Sequence, residues 1–206
     1  MSDAARKTRI REHYPRWMIW LGKTMLRLGR FTWEGGRPPV RQCVITAAPH
    51  ASNWDYFYTM SVAFALDIPI AVLIKQDWFF WPIGPIMRWL GGVPVDRSKR
   101  TNLVDEMIRV FRERDSLYMV ITPEGTRKRG QKWKSGFYWV AKEAGVPVLP
   151  AFIDYSRRAC GFGPLVPVTG DINADFEPIR EYYQRQVGVT FELRQKEGAD
   201  EPSPRT

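Results

Sequence analysis

A histidine five residues ahead of an aspartate, His50-Ala-Ser-Asn-Trp-Asp55, is the first pair in this chain whose types and spacing can do chemistry. A neutral imidazole can take a proton from a hydroxyl when a carboxylate fixes its tautomer and balances the imidazolium that forms. A plainer reading is also open, in which Ser52 or Asn53 caps a helix and Asp55 favours its positive end. Farther along, Pro123-Glu-Gly-Thr-Arg127 sets a glycine, where a backbone can approach a ligand closely, beside a guanidinium suited to phosphate. Its alternative is an ordinary turn with a solvated basic end. Gly91-Gly-Val-Pro-Val-Asp-Arg97 can deliver Arg97 to the same place, or Asp96 and Arg97 can form a surface ion pair of little energetic value. A fourth block, Val146-Pro-Val-Leu-Pro150, is chemically inert and reads as a strand bounded by prolines that walls a pocket.

These residues need elements that bring them together. Residues 43–47 and 69–74 read as buried strands with a helix over 53–66 between them. Asn102 can cap a helix on which Leu103, Met107, Val110 and Phe111 share one face, leading into a strand over 117–121. A helix over 137–143 precedes a strand over 148–153, and residues 187–193 read as a last strand. Strands alternating with helices predict one α/β domain, a mixed and mostly parallel sheet flanked by helices. His50 then follows a strand and opens a helix, at the sheet edge where such proteins bind ligands. Before the sheet, residues 15–33 read as an amphipathic helix, with Trp17, Trp20, Leu21, Met25 and Leu28 on one side and Arg16, Lys23, Arg27 and Arg30 on the other. Such a helix either packs on the domain's own core or lies in a membrane interface. The chain therefore divides into a basic amphipathic segment over 1–35, the α/β domain over 36–195, and a polar tail over 196–206 that is expected to be disordered.

Composition narrows the partners. The 206 residues carry a formal charge of +9 and nine tryptophans, with 44% hydrophobic and 26% charged residues. That is a folded globular chain whose basic surface attracts nucleic acid, an anionic bilayer or phosphorylated small molecules. Cys43 and Cys160 are the only cysteines and have no metal-ligand spacing. Neither a zinc site nor a disulfide framework is expected, and a reducing cytoplasmic setting fits. No apolar run approaches the roughly 18–20 residues that span a bilayer, and no signal-peptide pattern opens the chain, so any work on membranes is expected at the surface.

Taken in order, the four blocks resemble those of the glycerolipid acyltransferase family, whose best-known members are the 1-acylglycerol-3-phosphate O-acyltransferases. The family's His-x4-Asp, Gly-x-x-x-Asp-Arg, Pro-Glu-Gly-Thr-Arg and Val-Pro-x-x-Pro motifs match His50 to Asp55, Gly92 to Arg97, Pro123 to Arg127 and Val146 to Pro150. Lys75 and Lys134-Ser-Gly136 also look like family positions. Pro49 departs from a common asparagine and Pro94 from a common aromatic, which bears on the acceptor rather than the reaction. The resemblance implies that His50 is a general base oriented by Asp55, and that the acceptor hydroxyl attacks an acyl thioester directly. It places Lys75, Arg97, Glu124, Gly125, Thr126 and Arg127 in the substrate site, with Arg97, Arg127 and Lys75 as the cations for an acceptor phosphate.

The implied donor is acyl-CoA or acyl-carrier protein, and the implied acceptor a lysophospholipid, first of all 1-acylglycerol-3-phosphate. No metal or cofactor is expected. The expected location is peripheral, on an anionic membrane at the cytoplasmic face, with the aromatic run over 78–85 as an interfacial lip or, alternatively, a buried loop. Three rival readings remain: another acceptor (glycerol-3-phosphate, a different lysophospholipid or an aminolipid), a thioesterase or lipid hydrolase, and a nucleic-acid-binding module. The last would use Lys128, Arg129, Lys132, Trp133 and Lys134, since cations interleaved with aromatics suit single strands, but no recognised nucleic-acid motif accompanies them.

Overall fold

A computed structural model of the chain describes residues 13–49, 54–95, 103–124 and 132–194. Its elements in chain order are α1 (Arg16–Leu28), β1 (Thr32–Glu34), β2 (Gln42–Ala47), α2 (Trp54–Ala65), β3 (Ile70–Lys75), α3 (Ile83–Trp89) and β4 (Gly92–Val95). They continue with α4 (Leu103–Arg112), β5 (Leu117–Ile121), β6 (Lys132–Trp133), α5 (Gly136–Ala144), β7 (Val148–Asp154), β8 (Ala159–Phe162), α6 (Ile172–Val187) and β9 (Glu192–Leu193). Seven strands make one sheet in the order β1-β8-β7-β2-β5-β3-β4. All neighbours in it are parallel except β7 and β8. The sheet is therefore mixed and mostly parallel, as expected.

The strands form here because their apolar residues serve both faces of a covered sheet. On β2, Cys43 and Ile45 face one way, packed with Met18 of α1 and Met60, Ala63 and Phe64 of α2. Val44 faces the other way, toward Phe111 of α4, Val140 of α5 and Tyr183 of α6. This is the period-two alternation of a strand, with an apolar layer on each side.

Four features differ from the expectation. The strand β8 and the helix α3, four and seven residues long, lie where no element is foreseen, and the helix expected over 15–33 stops at Leu28, so that Thr32 and Trp33 belong to the strand β1 instead. The longest helix, α6, was hidden by Pro178 in its interior. It forms nonetheless, because Asp171 caps it through the backbone N–H groups of Asn173 and Ala174, and because Phe176, Ile179, Tyr182 and Tyr183 bury one stripe. Its end explains the misplaced last strand: Val187 closes the helix and Gly188 turns the chain in the left-handed conformation, at φ 66°. Only Glu192–Leu193 remains to pair, beside β6 in a separate two-stranded sheet.

The fourth difference is the register of α1. Its buried stripe is Met18, Gly22 and Leu26, laid against α2, whereas Trp17, Trp20 and Leu28 stand exposed next to the basic residues. Gly22 sets that crossing: a Cβ there would lie 2.6 Å from Ala65 N, Phe64 Cβ and Ser61 O. No described helix is long and apolar enough to cross a membrane. The expected tail over 196–206 lies outside the described residues.

Candidate active site

Five parallel strands, β7, β2, β5, β3 and β4, end at the same edge of the sheet, and the chemistry-bearing blocks follow those ends in the chain. After β2 the chain crosses one face through α2, and after β5 it crosses the opposite face through α5. Adjacent strands whose connections part to opposite faces leave a crevice at their carboxyl ends, the position where open α/β sheets bind ligands. His50 follows Ala47 by three residues, and Arg97 follows Val95 by two. His50, Arg97, Gly125, Thr126 and Arg127 lie outside the described residues. Asp55, Lys75 and Glu124 are described.

Asp55 occupies the first turn of α2 and is only 5% exposed. The helix's unpaired N–H groups and macrodipole favour a carboxylate there. A buried carboxylate also needs donors, and the phenol of Tyr155, the first residue beyond β7, supplies one at 2.6 Å to Oδ1. Burial raises the Tyr155 phenol well above its ordinary range, and the bond to Asp55 raises it further, so the hydroxyl remains a donor.

Glu124, three residues past β5, is 3% exposed and so lies inside the protein at the same edge. Lys75 ends β3, separated from β2 by β5, or by roughly 10 Å at the usual strand spacing. It is exposed and ion-paired with Asp77. The structure thus buries the two carboxylates at the edge and leaves the lysine on the solvent side.

Two tyrosines that the sequence did not single out complete this edge. Tyr155 gave one usable signal, its position two residues after a predicted strand whose start lies in the Val-Pro-x-x-Pro block. Tyr183 gave none, because it arrives from α6. In the register of β2 and β7, Ala151 N–H faces Thr46 O. The Tyr183 hydroxyl lies against this pair, accepting from Ala151 N at 3.2 Å and donating to Thr46 O at 2.6 Å, with Ala151 O at 3.0 Å. Complete burial raises the Tyr183 phenol well above its ordinary range, outweighing the hydrogen bonds with Thr46 and Ala151 that lower it, so the group stays neutral.

The nucleic-acid reading loses its aromatic ring. Trp133 is fully buried against Phe137, Phe176, Tyr183 and Phe191, where no base can stack on it. The cysteines are free and buried, and burial pushes both thiols up to about 12. A thiol so far from ionisation is not a nucleophile at neutral pH. The aromatic run, by contrast, is no buried loop: Trp78, Phe80 and Trp81 are exposed, the last at 85%. Trp89 at the end of α3 stacks on Trp17 of α1 with centroids 6.0 Å apart, which joins the two aromatic surfaces.

Comparison with known proteins bears on the family and the fold. A family model described as Acyltransferase matches residues 30–154, well over half the chain. Among solved structures, the 1-acyl-sn-glycerophosphate (LPA) acyltransferase PlsC from Thermotoga maritima superposes with a TM-score of 0.56. It is 20% identical, and the match covers 82% of this chain and 75% of that one, a likeness of fold. No curated protein sequence matches the chain.

Proposed function

Because the chain belongs to the acyltransferase family, we propose that it moves a fatty acyl group from an acyl thioester to the hydroxyl of a lysophospholipid. The acceptor proposed is 1-acylglycerol-3-phosphate, giving phosphatidate, and the donor is acyl-CoA or acyl-carrier protein. The observation that carries this reading is Asp55: a buried, hydrogen-bonded carboxylate in the first turn of a helix at the ligand-binding edge, five residues after His50.

In the proposed reaction, His50 Nε2 takes the proton of the acceptor hydroxyl as its oxygen attacks the thioester carbonyl. Asp55 balances the imidazolium. The tetrahedral intermediate collapses with cleavage of the C–S bond, and the thiolate leaves with the proton from the imidazolium. No acyl-enzyme is needed, in keeping with the two buried thiols. General-base help supplies about 10²–10⁴-fold, and positioning and charge stabilisation supply the rest. Arg97 and Arg127 are the proposed phosphate cations, with Glu124, Gly125 and Thr126 shaping the acceptor site. Lys75 would have to leave Asp77 to join them.

We further propose that the enzyme works peripherally at the cytoplasmic face of an anionic membrane. The exposed rings of Trp17, Trp20, Trp78, Phe80 and Trp81, flanked on α1 by Arg16, Lys23 and Arg27, support that reading. Aromatic rings suit the headgroup level, and each nearby cation adds about 1 kcal/mol of attraction.

The test is release of free thiol from oleoyl-CoA or oleoyl-acyl-carrier protein, with and without lysophosphatidate, for wild type, His50→Ala and Asp55→Asn. The expected result is acceptor-dependent release with phosphatidate as product, lowered at least about 100-fold in His50→Ala. Release at full rate without acceptor would instead make the protein a thioesterase. Release indifferent to His50 would remove the mechanism.

A further inference from the structure

The family match stops at Asp154, and the residue that touches Asp55 is the next one along the chain. We propose that Tyr155 is a positioning residue for acyl transfer, whose hydrogen bond clamps the Asp55 carboxylate in the orientation from which it aligns His50. The proposal rests on the roles given to His50 and Asp55 above.

Tyr155 is itself held on two sides, as a clamp must be. Its ring lies edge-on to Phe31 and to Tyr58, with centroids 5.9 and 5.7 Å away. Its backbone belongs to a turn built on Asp154. The Asp154 Oδ1 accepts from Ser156 N at 2.8 Å, Ser156 Oγ at 2.6 Å and Arg157 N at 3.1 Å, while Oδ2 accepts from Arg157 Nε at 2.7 Å. Arg157 in turn donates to the carbonyl of Gln186 at the end of α6. The phenol therefore reaches Asp55 from a frame fixed to both β7 and α6, while Asp55 rides on α2. One hydrogen bond thus ties the first turn of α2 to the end of β7, the strand beside β2 on the side away from β5.

The chemistry gives that bond a use. As the imidazole takes up a proton, positive charge grows beside Asp55, and a carboxylate free to rotate would lose alignment at that moment. A phenol bonded to one carboxylate oxygen restrains the side chain against that rotation. Restraint of this kind acts on the chemical step and not on substrate binding, and the experiment reads that distinction.

Steady-state kinetics of the full chain with oleoyl-CoA and lysophosphatidate are compared for wild type, Tyr155→Phe and Asp55→Asn, with thermal unfolding of each. The phenylalanine keeps the ring contacts and removes the hydroxyl alone. The expected result is a kcat lower by roughly tenfold or more in Tyr155→Phe, as for loss of a hydrogen bond to a charged group, with both KM values within about twofold and unfolding unchanged. Full kcat in Tyr155→Phe beside a strongly impaired Asp55→Asn would overturn the clamp and leave the reading of the site intact. A loss of activity that tracks unfolded protein, or that lies in KM alone, would also overturn it. Full activity in Asp55→Asn would overturn the site reading and the clamp together.

Discussion

Asp154 does for the Tyr155 turn what Tyr155 is proposed to do for Asp55: a carboxylate and its donors fix one another. Burial alone would raise the Asp154 carboxyl, but hydrogen bonds from the side chains and backbone of Arg157 and Ser156 outweigh it and lower the group to about 2 from 3.8. A carboxyl depressed by folding stabilises the native state above its unfolded value, and that contribution fades as pH falls through the folded value. Asp154→Asn is therefore expected to cost roughly 1–2 kcal/mol at pH 6–7, discounted for partial exposure. Urea unfolding at a series of pH values checks it: the gap between variant and wild type should close between about pH 4 and pH 2. A gap independent of pH would mean that the turn is held by something other than this charge. At this scale the sequence showed the pair His50 and Asp55, because five residues of separation bind them to one strand-to-helix turn. It could not show that Tyr155 meets Asp55, because a partner 100 residues away leaves no periodicity to read.

Between elements, α1 and α2 approach closely at Gly22. Alanine is the better helix former by about 1 kcal/mol. Here a Cβ would meet backbone N and O atoms of α2 at 2.6 Å, which cannot turn aside as a side chain does. Overpacking of this kind costs about 1–3 kcal/mol, so the clash wins. Gly22→Ala is expected to lower the melting temperature by several degrees, and an unchanged or raised value would show that α1 does not rest on α2 as described. The strands β2, β3, β5 and β7 were legible because continuous apolar runs of five to seven residues are the mark of a sheet covered on both faces. The amphipathic nature of α1 was equally legible, but not which stripe it buries. Counting apolar residues favoured the tryptophans, whereas close helix packing selected the glycine and the two residues a turn away on either side, Met18 and Leu26. A polar helix interrupted by Pro178 offered no such signal, and α6 was missed.

For the molecule as a whole, the aromatic surface joined by the Trp17–Trp89 stack leaves Trp20 and Trp81 exposed at 68% and 85%. Exposed aromatic rings on a basic protein suit the peripheral membrane contact proposed above. Trp20→Glu with Trp81→Glu is expected to reduce sedimentation with vesicles of anionic phospholipid at least about tenfold while unfolding is unchanged, and salt should weaken wild-type binding. Undiminished sedimentation of the double variant would place the contact elsewhere. The Tyr183 hydroxyl carries a different consequence, one of timing. The strands β2, β5 and β7 all leave the ribosome before α6, and the hydroxyl that bonds both the carbonyl of Thr46 and the amide of Ala151 comes only with that helix. A nascent chain can therefore assemble most of its sheet before the edge of the proposed site is braced, and α6 adds the brace after the strands are already paired.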